Sequence, residues 1–183
     1  MSSTTASVPS PRSAGRSEGP REVGGVRRVA VPPAARRLCT LSRVDYEDSF
    51  EVQTGPVNDR TAEQWARAIF EDAPLATRIA LRSAWFLIGA ELHRDPPEQF
   101  VFGLKVLRST SEFVFLGVSS RLGARAELLL EREPHALRFT SFVQLDTRPA
   151  RMMWARAAAG HRFAVRYLFG HGARRIYEKD RAR

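Results

Sequence analysis

Residues 148–176, RPARMMWARAAAGHRFAVRYLFGHGARRI, make up the longest amphipathic run of the chain. Set on a helix at about 100° per residue, Arg148, Arg151, Arg156, Arg162, Arg166 and Arg174 fall in one sector. Met153, Trp154, Ala157, Ala158, Gly160, His161, Ala164, Val165 and Leu168 fall on the other. The spacing predicts one long helix with one dry face. A dry face of that length has to cover an apolar surface, and the preceding residues supply it.

From Gln99 to Asp146 the hydrophobic period is two. Phe100, Phe102, Leu104 and Val106 alternate with Val101, Gly103, Lys105 and Leu107, and Phe113 to Val118 is apolar on both faces. Ala126, Leu128 and Leu130 alternate with Glu127, Leu129 and Glu131, and Leu137, Phe139, Ser141, Val143 and Leu145 alternate with Arg138, Thr140, Phe142, Gln144 and Asp146. Four strands joined by short turns predict an antiparallel meander with one face awaiting a cover. Gly170 and Gly172, near the helix end, read as a kink or a C-cap.

Upstream, Val44–Val52 reads as the first strand and Thr61, with Gln64 three residues on, as a capping box opening a helix. Trp65, Ala68 and Ile69 form that helix's inner face, and Pro74 ends it. Leu75–Leu92 is the most hydrophobic segment. Its uninterrupted part, Ser83 to Ala90, is far short of the roughly 20 residues of a membrane span, so it reads as a buried helix. Trp85, Phe86, Leu87 and Ile88 are apolar all round it, which points part of the helix toward a ligand, a partner or a lipid surface.

Composition narrows the function. The single Cys39 excludes a disulfide framework, and one cysteine with four scattered histidines gives no zinc spacing. The net charge of +9 is unevenly spread: residues 1–37 carry +5, residues 38–147 carry −4, and residues 148–183 carry +8. An acidic body opposes a polyanion wrapped around it, so nucleic acid is disfavoured as a partner. The basic helix suits an anionic membrane surface, with Arg151, Arg162 and Arg166 as the expected contacts.

Residues 1–37, rich in Ser, Pro and Arg, read as a disordered tail, 38–176 as the domain and 177–183 as a frayed charged end. A leader of this kind also follows from a misassigned start codon. No apolar run long enough for a signal-peptide core occurs in it, and a cytoplasmic protein, peripheral at most to a membrane, is expected.

The order strand, two helices, antiparallel meander and long C-terminal helix resembles the α+β helix-grip fold of the SRPBCC superfamily, which includes START-type lipid-binding domains, polyketide cyclases and Bet v 1-like proteins. The stretches RTAEQWARAIFEDAP (Arg60 to Pro74), LRSAWFLIGAEL (Leu81 to Leu92) and RPARMMWARAAAGHRFAVRYLF (Arg148 to Phe169) are similar to SRPBCC-like proteins of high-GC bacteria. The resemblance covers roughly Leu41 to Ile176. It implies a curved sheet wrapped on the last helix, with a cavity for an apolar or amphipathic small molecule between them. No cyclase residue set carries over.

The pocket expected on that basis is lined by Phe102, Leu104, Phe115, Leu128, Phe139, Ser141, Trp154, His161 and Val165. His161 is its candidate polar group or general base, and Ser141, on the face of Phe139 and Val143, a candidate orienting hydroxyl. Asp45, Glu47, Asp48 and Glu51 read as a solvated strand edge. No phosphate-binding loop, dinucleotide fingerprint, zinc-protease or nucleophile-elbow motif occurs, and no cofactor or metal is expected. Three functions follow in order: a binder of a lipid- or polyketide-like molecule, a cyclase or dehydratase, and a non-catalytic protein that docks through the basic helix.

Overall fold

A computed structural model describes residues 24–54, 60–93 and 95–181. Its frame is one seven-stranded antiparallel sheet in the order β1-β2-β7-β6-β5-β4-β3. The strands are β1 (Arg27–Val29), β2 (Tyr46–Gln53), β3 (Phe100–Val101), β4 (Leu104–Ser109), β5 (Phe113–Ser120), β6 (Ala124–Glu133) and β7 (Ala136–Leu145). Four helices accompany them: α1 (Pro33–Leu38), α2 (Ala62–Phe70), α3 (Leu75–Leu87) and α4 (Arg148–Arg181). This is the helix-grip arrangement, a curved sheet packed on a long C-terminal helix, with α2 and α3 inserted between β2 and the meander.

Period-two patterning divides the sheet into two faces. One carries Phe50, Val52, Val114, Leu116, Leu128, Leu130, Leu137 and Phe139 against α2 and α4, in one cluster with Trp65, Ile69, Leu168 and Phe169. Each such buried side chain contributes about 1.5–3 kcal/mol. The capping box at Thr61 is present: Gln64 N donates to the Thr61 hydroxyl and Thr61 N donates to Gln64 Oε1. The sheet curves at a bulge in β4, where Leu107 is extra between Val106 and Arg108.

The other face of the sheet is also covered. Ala35, Phe115, Leu129 and Phe142 form a second cluster, joined by Val31, Leu38 and Leu41. Of the tail expected over 1–37, the residues from Gly24 onward therefore belong to the domain. Arg27, Arg28 and Val29 pair with Glu51, Phe50 and Ser49. Pro33 opens α1, where its fixed φ and missing N–H suit a helix start. The remaining tail residues, 1–23, lie outside the described residues. At the other end α4 is helical through Arg181, where a frayed end was expected from residue 177.

Three further expectations change. Phe100–Leu107 is two strands, because Phe102 and Gly103 both take positive φ (53° and 92°) and close a two-residue hairpin turn. Gly170 and Gly172 do not cap α4, which continues through them to Arg181; at Gly172 a Cβ would lie 3.0 Å from Ile69 Cγ1, so this glycine lets α2 approach. Of the acids expected on a solvated edge, Asp45 is exposed and Glu47 half-buried, but Asp48 and Glu51 are buried, since β1 pairs on the outer side of β2 and α4 lies over one face. Glu51 is held by Arg27 at 2.6 Å and Arg138 at 3.0 Å, Glu47 by Arg36, and Asp45 by Arg43 at 2.8 Å.

Candidate functional site

The two halves of α4 are used differently. From Val165 to Ile176 its inner side is buried, with Val165, Leu168, Phe169, Ala173 and Ile176 packed into the core. From Met153 to Ala164 the inner face is only partly covered, because α2 ends at Phe70. A cavity of about 530 Å³ lies there, between the sheet, α3 and the first half of α4.

Its floor is Leu128, Phe139, Val143, Val118 and Ala126 of the sheet, and its walls are Leu81 and Trp85 of α3, Ile88 just past its end, and Trp154, Ala157, His161, Ala164 and Val165 of α4. The polar lining side chains are Ser119, Ser120, Arg125, Arg156 and His161. Ala84 and Leu87 of α3, Ser119 and Arg125 of the sheet, and Arg156 and Gly160 of α4 are exposed and mark the mouth. Gly160 leaves open space: a Cβ there would meet no atom within 4 Å.

His161 connects this cavity to a buried polar cluster. In the register of β2 on β7, Asp48 stands beside Ser141 and Tyr46 beside Val143. His161 Nε2 lies 3.2 Å from Ser141 Oγ and 3.5 Å from Asp48 Oδ2, and the Tyr46 hydroxyl donates to the same carboxylate oxygen at 2.5 Å. The rings of Tyr46, Trp154 and His161 close over the cluster, with centroids 5.0–6.1 Å apart. The Asp48 side chain has no exposed surface, and its Oδ1 has no hydrogen-bond partner.

Burial by itself raises the Asp48 carboxyl, but the hydrogen bonds and charge of His161, with hydrogen bonds from Tyr46 and Ser141, outweigh it. The group is thereby held below its ordinary value and stays a carboxylate. Tyr46 moves the other way, because burial and the Asp48 carboxylate both raise its phenol. Chemically the cluster fixes the orientation of one imidazole at a cavity wall, as a carboxylate behind a histidine does in acid–base sites.

Of the pocket expected from sequence, Leu128, Phe139, Trp154, His161 and Val165 line the cavity. Ser141 is buried behind His161. Three residues lie elsewhere. Phe115 pairs with Leu129 and points to the opposite face, into the cluster under α1. Leu104 is closed into the core, and Phe102, at the hairpin turn, stacks on Phe70 beneath the Arg82 guanidinium.

Of the three expected surface arginines, Arg151 and Arg166 are exposed and Arg162 is half-buried. Arg162 interacts with the Tyr46 hydroxyl, and the Arg166 guanidinium lies 5.7 Å from the Phe50 ring centroid. Asp48 and Tyr46 are the residues the sequence reading missed. A signal was present, because Tyr46, Asp48, Phe50 and Val52 share one face of a strand and a carboxylate in that row is buried with the rest.

A larger groove of about 800 Å³ lies on the other side of α3. Arg67, Glu71, Arg78, Arg82, Glu91 and Arg121 line it with charges of both signs, so it offers an apolar molecule little burial. Among the described residues no cluster of His, Cys, Asp and Glu is arranged to hold a metal, and no helix is long and apolar enough to cross a membrane.

No protein-family model and no curated protein matches the chain. Among solved structures it is similar to CalU16 from Micromonospora echinospora, at 16% identity over 88% of this chain and 91% of that one, with a TM-score of 0.34. A likeness at that score carries no argument about family or activity. The site is therefore read from its own geometry.

Proposed function

We propose that the protein binds one apolar or amphipathic small molecule, lipid- or polyketide-like in character, in the cavity between the sheet, α3 and α4. The observation that carries this reading is the cavity itself: about 530 Å³, walled almost wholly by apolar side chains, with a mouth between Leu87 and Gly160. Ligand sites commonly span about 300–1,000 Å³ with an apolar lining and a few placed polar groups. Burial of apolar ligand surface supplies about 25 cal/mol per Å², and His161 supplies the polar contact that orients one end.

A second reading, proton transfer on the bound molecule, is favoured by the His161 cluster. Asp48 and Ser141 hold the imidazole, and an oriented imidazole at an apolar wall is equipped to take or give a proton. Native mass spectrometry of protein purified from its own host tests the binding reading. A co-purifying small apolar molecule, released on unfolding, is expected. Empty protein that also takes up nothing from a total lipid extract contradicts it. For the second reading, His161→Ala must keep the ligand and lose turnover.

A further inference from the structure

Seven of the nine large apolar side chains left exposed among the described residues belong to α3 and α4, so the exposure is concentrated on the two helices flanking the cavity. On α3, Leu75, Ile79 and Phe86 fall along one stripe at helical spacing, and Phe86 is 82% exposed. On α4, Met152, Phe163 and Tyr167 form a second stripe, with Phe163 73% exposed. Both helices lie on the same side of the sheet, around the cavity, and both stripes are exposed.

Along these two helices the charge has one sign, while Glu71 and Glu91 line the groove beyond α3 among arginines. Helix α3 carries Arg78 and Arg82 and no acid, and α4 carries no acid from residue 148 to residue 177. Its first turn holds Arg148 and Arg151, cations at the positive end of the helix dipole, which adds to the positive field. The carboxylates of Glu47 and Glu51 lie on the opposite face of the sheet, already held by Arg36, Arg27 and Arg138.

From this placement we infer that the α3–α4 face docks on an anionic phospholipid bilayer, with Phe86 and Phe163 entering the headgroup–acyl boundary and the flanking arginines meeting the phosphates. Apolar stripes edged by arginine match the layered chemistry of that interface. An acidic protein partner would satisfy the arginines but leave the long apolar stripes needing a matching groove. The mouth between Leu87 and Gly160 opens between these helices, so the docked protein takes its ligand from the bilayer. That last step rests on the cavity reading above; the docking itself does not.

The test is co-sedimentation of the full chain with large vesicles of phosphatidylcholine alone or with about 30 mol% phosphatidylglycerol. Wild-type protein is expected to bind the anionic vesicles at least about tenfold more tightly, and to be released as salt rises from about 0.1 M to about 0.5 M. Phe86→Ser with Phe163→Ser is expected to weaken binding about tenfold or more, while Leu107→Ser, an exposed apolar residue of β4, leaves it unchanged. Both altered residues are exposed, and thermal melts check that the fold is kept. Equal binding of the two vesicle types, no binding to either, or full binding by the double variant overturns the proposal. Uptake of N-phenyl-1-naphthylamine without vesicles separates the two claims: the double variant keeps it if the cavity reading holds, whatever happens at the membrane.

Discussion

His161 Nε2 stands 3.5 Å from Asp48 Oδ2, joining the middle of the long C-terminal helix to a carboxylate with no exposed side-chain surface on β2. A carboxylate in that setting is stabilised by the groups aimed at it, and losing it leaves those groups without their acceptor. The contact therefore fixes both the position of α4 over the sheet and the orientation of the one imidazole in the cavity wall.

Asp48→Ala is expected to cost about 3 kcal/mol, since the Tyr46 hydroxyl and His161 both lose their buried partner. The pH dependence has a defined sign. Asp48, Glu51 and Asp45 are all held below their ordinary values: Asp48 by His161, Tyr46 and Ser141 against its burial, Glu51 chiefly by Arg27, and Asp45 chiefly by Arg43. Near pH 4 the unfolded chain binds more protons at these sites than the folded one, so stability from them is full above about pH 5 and falls as the folded groups protonate. Glu131, raised by burial, acts in the opposite direction. Urea midpoints between pH 7 and pH 3 check this, and Asp48→Asn is expected to flatten the slope.

Two glycines of α4 are expected to respond oppositely to substitution. Gly160 is in mid-helix beside open space, so Gly160→Ala is expected to stabilise by about 0.5–1 kcal/mol through helix propensity. Gly172 is in close contact with the fully buried Ile69, so Gly172→Leu is expected to cost about 2 kcal/mol by forcing α2 away. Thermal unfolding of the two variants under one condition distinguishes them.

Ala35 tests whether the segment before β2 belongs to the domain. It has no exposed surface and packs with Phe115, Leu129 and Phe142. Ala35→Glu places a carboxylate in that apolar layer and is expected to cost about 3 kcal/mol or more in denaturant unfolding. In a disordered tail the same change would have no effect.

The elements legible in the sequence are those whose period is long and single-valued. Helix α4 and the alternation of β6 and β7 could be read because each repeats over ten residues or more. His161, Ser141 and Trp154 followed from the same periods. Asp48 was missed because four nearby acids were weighed as one cluster, although their positions divide them between two faces. Residues 24–37 were missed because the composition of a longer segment hides the start of the short apolar series Val31, Ala35, Leu38 and Leu41. Phe115 was assigned to the pocket side although β5 is apolar on both faces, and its pairing with Leu129 places it on the other. The hairpin at Phe102 was hidden by an aromatic residue at positive φ, a conformation rare outside glycine, asparagine and aspartate.

The central claim is that the space beneath the first half of α4 is a binding cavity, and titration with N-phenyl-1-naphthylamine, followed by energy transfer from Trp85 and Trp154, addresses it most directly. The wild-type protein is predicted to bind the dye saturably at one site, and Gly160→Phe, which fills the mouth while remaining folded, to lose at least about tenfold in affinity. Absence of saturable binding in the wild type, or equal affinity in a folded Gly160→Phe variant, would contradict the account.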